Sequence, residues 1–189
     1  MKKTTYSLLI AITLIVNFSC SDGNKSEKTE ALFLSNWNST LLPGSNLKID
    51  LPFALNDKPI DIPDQVKIYI KSLISQDYKL ESDFYILCAT TEYTTDKVSL
   101  NNAANESIAG LKMQRTIEDV LFKEESIQVA GAPAKLQSGT YTDAGRPVEF
   151  TNVLIMKGAR LTSIVITNTA GDAYGKKIRE KIVASVRNN

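Results

Sequence analysis

From Ser126 onward the chain is a succession of strand-like stretches joined by turns too short for anything but reversal, and this constrains the fold more than any other feature. Residues 127–130 lead through Gly131 and Pro133 to 135–142, the turn at 143–146 leads to 148–157, and Gly158 and Ala159 lead to 161–168. A parallel return needs a dozen residues or more, so neighbours this closely linked pair antiparallel. The predicted class is α+β: a twisted antiparallel sheet flanked by helices.

The helices come from apolar stripes at helical spacing. Ser99 offers a hydroxyl to the free amides of a helix carrying Leu100, Ala104, Ile108 and Leu111 on one face, with Gly110 weakening its last turn. Asp172 opens a second helix with Tyr174, Ile178, Ile182 and Val186 along one side. The lysines and arginines on the rest of that helix read as a solvated face, with cations toward the end that the dipole favours. After the Pro-rich stretch 52–63, Asp64 is expected to cap a third helix bearing Val66, Ile70, Leu73 and Ile74. The β-branched content of 66–70 makes a strand the alternative there. Residues 46–51 alternate as a half-buried strand, 84–94 form the strongest and most central strand, and 114–125 are ambiguous. Trp37 is expected to pack on the domain.

The N-terminus speaks of location. Lys2 and Lys3 precede a short apolar run at 8–16, then the uncharged Asn17, Phe18 and Ser19, then Cys20. A crossing helix needs about 20 apolar residues, so a cleaved secretory leader is the better reading. Residues 17–20 resemble a bacterial lipobox, with Ser19 as the matching small residue before the cysteine. That resemblance implies a signal peptide over 1–19, a thioether-linked lipid (hence palmitate) on Cys20, and a lipoprotein held in the cell envelope, the outer membrane favoured over the inner. Residues 20–30 then form the lipidated cysteine and a flexible tether, poor in apolar side chains, with a reach on the order of 15–20 Å. Residues 31–189 form a single globular domain.

Composition and residue types narrow the chemistry. Removal of Lys2 and Lys3 from 22 basic residues, against 21 acidic, leaves the mature chain slightly acidic with no basic block, which gives nucleic acid no purchase. The two cysteines, Cys20 and Cys88, form no internal disulfide if the first is acylated, and Cys88 sits in an apolar stretch where a thiol is a small buried hydrophobe. With no histidine, the chain has no Ser-His or Cys-His pair and no imidazole base near neutral pH. Ser45 and Lys48 match the Ser-x-x-Lys pattern of acyl transferases by chance, since residues three apart on a strand face opposite ways. The stretch 171–177 (GDAYGKK) imitates a phosphate loop but has three residues between its glycines, no Ser or Thr after Lys177, and an acid at Asp172 where phosphate would sit. Asp61 with Asp64, and Glu124 with Glu125, lack calcium-loop spacing. No catalytic, metal or cofactor site is expected.

The order of elements, strand, Pro-rich segment, helix, strand, helix, four antiparallel strands and a closing helix, resembles the PsbP-like/DcrB-like superfamily over about residues 46–186. The most specific match is 127–141, IQVAGAPAKLQSGTY, which looks like the family's strand, Gly-x-Pro turn and strand. The superfamily contains photosystem accessory subunits, secreted or lipidated bacterial proteins and small trafficking factors, so the resemblance implies binding or assembly rather than catalysis. Three functions follow as expectations. The first is a non-catalytic envelope lipoprotein with a membrane contact through its lipid and an envelope protein partner. The second is a small-ligand or lipid carrier with an apolar cavity among Leu87, Leu154 and Ile178. The third is an enzyme using two facing carboxylates.

Overall fold

The computed structural model describes residues 25–81 and 83–189. Cys20 and the leader lie outside the described residues. The elements run α1 (Lys25–Leu34), β1 (Asn38–Leu41), β2 (Leu47–Leu51), β3 (Asn56–Asp57), α2 (Asp64–Lys67), β4 (Ile70–Leu80), β5 (Phe84–Tyr93), α3 (Leu100–Lys112), β6 (Ile117–Val129), β7 (Ala132–Asp143), β8 (Arg146–Lys157), β9 (Arg160–Thr169), α4 (Ala173–Ala184) and β10 (Arg187–Asn188).

The hairpin reading is borne out strand by strand. β6, β7, β8 and β9 pair antiparallel in sequence order, and β9 then pairs with β5 to give the seven-stranded order β3-β4-β5-β9-β8-β7-β6. Two of the turns hold both central residues at positive φ, Ala130 with Gly131 and Ala144 with Gly145. That is the backbone whose twist matches the flanking strands. The expected α+β class, an antiparallel sheet flanked by helices, is the one observed.

Each face of this sheet is covered. On one face Phe84, Ile86, Cys88, Val153, Ile164 and Ile166 meet Ile49 and Leu51 of β2 and Ile178 and Ile182 of α4, all at 0% exposure. The small sheet β1-β2-β10 and α4 thus close that side. Leu47, Ile49 and Leu51 point inward in the alternation expected of β2. The other face carries α3, whose Ala104 and Ile108 pack above Leu154, Tyr141 and Phe150. Because both faces are buried, β5 shows nine buried residues in ten instead of an alternating pattern.

Two of the three expected caps are present; Asp64 is instead the first residue of α2, behind Pro63 at the cap position, and caps nothing. The Ser99 hydroxyl accepts the Asn102 N–H at 3.5 Å, and the Asp172 carboxylate accepts from Tyr174 N and Gly175 N at 3.0 and 3.1 Å. α3 continues past the buried Gly110 to Lys112.

Two expectations are corrected and one open reading is resolved. The helix expected from Asp64 stops after one turn, and Ile70, Leu73 and Ile74 belong to β4, paired along its length with β5. Pairing with the strongest strand of the sheet outweighs a local helical spacing. The ambiguous 114–125 segment is mostly β6, an edge strand whose exposed residues hide any period. Finally, the flexible tether does not extend to residue 30, because α1 begins at Lys25. Its order comes from contacts, not composition: Thr29 is fully buried and donates its hydroxyl to Asp172 Oδ1 at 3.1 Å, and Tyr174 OH donates to Glu30 at 2.6 Å. Phe33 packs against Trp37 and Tyr174, and Lys181 Nζ lies 3.8 Å from the centre of the Trp37 ring. Trp37 packs on the domain as expected.

Candidate functional site

Beneath α3 the sheet carries polar side chains at positions where its other face carries isoleucine and valine. Strand alternation places Gln137, Tyr141 and Asp143 of β7, Phe150 and Asn152 of β8, and Val165 and Thr167 of β9 on the α3 side. Gln137 is fully buried, and Asn152 is 3% exposed. Buried amides require partners, and these have them. Gln137 Nε2 donates to the α3 carbonyl of Ala104 at 2.8 Å and to Glu124 Oε2 at 2.9 Å. Asn152 Nδ2 donates to Gln137 Oε1 at 2.9 Å and to Ser107 Oγ at 2.8 Å, while Ser163 Oγ donates to Asn152 Oδ1 at 3.3 Å. At the outer end Lys135 Nζ meets Glu124 Oε1 at 2.9 Å. The result is a continuous chain of polar groups across β6, β7, β8 and β9 that ties α3 to the sheet. The Lys135 ammonium, then the Gln137 amide, hold the Glu124 carboxyl below the usual range.

Beside this chain α3 lifts off the sheet and leaves a half-enclosed cleft. Ile108, Leu111 and Ile117 line it together with Tyr141, Phe150 and Val165, and its polar lining comes from Ser107, Asn152, Thr167, Gln114 and Asp143. Its volume is about 50 Å³, several times the space of one water. Thr167 is 4% exposed, and its hydroxyl has no hydrogen-bond partner. Burial pushes the Tyr141 hydroxyl up, and the nearby Asp143 charge adds to it. Further along the same face, burial pushes Tyr93 up to about 12, helped by Glu106.

Two other depressions are less specific. A cleft of about 270 Å³ at the end of the sandwich lies between Asn46 and the β8–β9 turn, with Lys157 and Arg160 at its edge, and Arg160 reaches Glu92 at 3.4 Å. A shallow groove of about 440 Å³ beside β6 runs past Leu121 and the Arg179–Glu149 ion pair (2.6 Å).

The residues singled out in the sequence fall elsewhere. Leu87 and Leu154 face α3 whereas Ile178 packs on the opposite side of the sheet, so these three share no cavity; a two-residue period separates Leu87 from the Ile86 and Cys88 that meet Ile178. Cys88 is fully buried on the α4 side, where desolvation pushes its thiol pKa up. The Ser45 hydroxyl closes a local turn, donating to Leu42 O and accepting from Leu47 N, while Lys48 stands in β2 opposite Leu41 and Arg187. Asp172 fills the amides that a phosphate on 171–177 would need. Asp64 pairs with Lys67, and Glu125 with Lys123. Among the described residues no cluster of three or more metal-ligating side chains occurs, and no helix is long and apolar enough to cross a membrane. Gln137, Asn152, Ser107 and Thr167 were not singled out by sequence; their one signal is a polar side chain at an inward strand or helix position.

No protein-family model and no curated protein sequence matches the chain. Solved structures do. The solution structure of cyanobacterial PsbP (CyanoP) from Synechocystis sp. PCC 6803 superposes with a TM-score of 0.52 at 11% identity, covering 90% of this chain and 98% of that one. The fold is PsbP-like. LpqN of Mycobacterium tuberculosis, described as involved in cell envelope biogenesis, gives a TM-score of 0.49 at 12% identity, covering 80% of this chain and 90% of that one. A Bacteroides thetaiotaomicron protein gives 0.47 at 8% identity, and this chain spans about half of it, 48%. At these identities the likeness concerns architecture alone: the PsbP-like fold hosts this cleft without assigning it a ligand.

Proposed function

We propose that this chain is a bacterial envelope lipoprotein, anchored through Cys20, whose PsbP-like module acts by binding rather than by catalysis. The observation that carries the reading is the N-terminal layout: Lys2 and Lys3, the apolar run 8–16 and Cys20, followed within five residues by the first helix of the folded module at Lys25. A chain without histidine and with a near-neutral charge suits a binding role away from nucleic acid. The outer membrane is favoured over the inner as its location, with an envelope protein as its partner.

Metabolic labelling with a fatty-acid probe in wild type and Cys20→Ala tests the anchor. Label is expected in the first and not in the second, and equal label in both removes it. Crosslinking in intact cells tests the partner: specific adducts are expected, and a purified mature protein that turns over a defined substrate in place of forming them overturns the binding role.

A further inference from the structure

We propose that the cleft beneath α3 binds a compact, uncharged, mostly apolar molecule carrying one hydroxyl, with that hydroxyl paired to Thr167 Oγ1. The proposal gives a ligand class to the binding role above and rests on it for its biological setting. The chemistry is read from three features of the cleft.

The first is the Thr167 hydroxyl. It is buried, lines the cleft and lacks a partner. A valine of the same shape would fill the position without that cost, so the oxygen has a use only when something else supplies a donor or acceptor. Neighbouring groups do not: both Asn152 N–H groups are committed to Gln137 and Ser107, and its oxygen takes the Ser163 hydroxyl.

The second is the wall. Ile108, Leu111, Phe150 and Val165 offer an apolar slot that suits a ring or a branched alkyl group. The cleft volume of about 50 Å³ accepts part of such a group, with the remainder at the open side of the cleft. The third is charge. No cation is part of the lining, and the charge of its one ionisable carboxyl, Asp143, is offset by Arg146 opposite it, so an anionic head such as a fatty-acid carboxylate finds no ion-pair partner in the lining to repay its desolvation.

The test uses three probes of similar shape on the full chain in detergent solution, acylated or not: phenol, toluene and benzoate. Binding is read from chemical shifts of the Ile108, Leu111 and Val165 methyl groups. Phenol is expected to shift these methyls and to bind at least tenfold more tightly than toluene, while benzoate leaves them unmoved. Thr167→Val should lower phenol to the toluene level and leave toluene unchanged, and Val165→Phe, which fills the slot, should abolish both. Methyls that respond to no probe mean that the cleft holds water only, which overturns the proposal. So does phenol binding that survives Thr167→Val, or a preference for benzoate. None of these readouts depends on acylation or on an envelope partner, so a negative result here leaves the labelling and crosslinking experiments to judge the wider role.

Discussion

Replacing Gln137 by Met keeps the volume of a fully buried side chain while removing the centre of the polar chain under α3. The substitution deletes a bond to the charged Glu124, a bond to Ala104 O and the acceptor of an Asn152 N–H. Ala104 O keeps its helical partner and Glu124 keeps Lys135, so the group left without a partner is one Asn152 N–H. An orphaned buried donor costs about 1–3 kcal/mol, and the bond to a charged carboxylate contributes roughly 1.5–3 kcal/mol. Burying the thioether returns about 1–2 kcal/mol. The expected net loss is about 2–3 kcal/mol, which for a module of this size lowers Tm by roughly 5–10 °C. Urea titration followed by circular dichroism measures it. Gln137→Met/Asn152→Leu should cost about 1–2 kcal/mol less than the sum of the two single changes, because the second removes the donor that the first orphans. A single variant within about 0.5 kcal/mol of wild type, or strict additivity in the pair, would refute the idea that these amides act as one unit.

Gly139→Ala should destabilise by about 2–3 kcal/mol in the same assay, since a Cβ there falls 2.0 Å from Leu121 O and 2.7 Å from Phe122 Cα, both backbone atoms of the irregular stretch of β6. Asp172→Ala removes the α4 cap and the acceptor of the Thr29 hydroxyl, and should cost about 1–2 kcal/mol with α1 exchanging its amides faster than α3; Asp172→Asn should keep most of the cap. Stability should fall as pH drops below about 4.3, because the Glu124 carboxyl is held low in the folded state by Lys135 and Gln137 and the unfolded chain takes up its proton first. Glu124→Gln should flatten that slope between about pH 4.3 and the folded value, and an unchanged acid limb would discount the pair.

The parts of the fold that the sequence announced are those decided by local chemistry. The β7, β8 and β9 hairpins follow from short turns with glycine at positive φ, and α3 and α4 from Ser99 and Asp172 at their caps. β4 was hidden because Val66, Ile70, Leu73 and Ile74 happen to fall at helical spacing, and only its pairing with β5 shows otherwise. α1 was invisible since its anchors are Thr29 and Glu30, polar residues in a charged stretch, whose partners Asp172 and Tyr174 lie more than 140 residues away. The cleft was equally hidden. A sheet covered on both faces gives Gln137, Asn152 and Thr167 no pattern that separates them from solvent-facing residues, and their roles exist only once three strands and a helix meet.

Only four residues stand between Cys20 and the start of α1 at Lys25. An acyl chain on that thiol would leave a leash of roughly 16–18 Å at full stretch. α1 is fastened to α4 through Thr29 and Tyr174, on the side of the large sheet away from α3. Were that thiol acylated as proposed, the anchor would limit posture as well as address, keeping the α1–α4 side nearer the lipid headgroups and the opening under α3 farther from them, where a dissolved visitor could reach it.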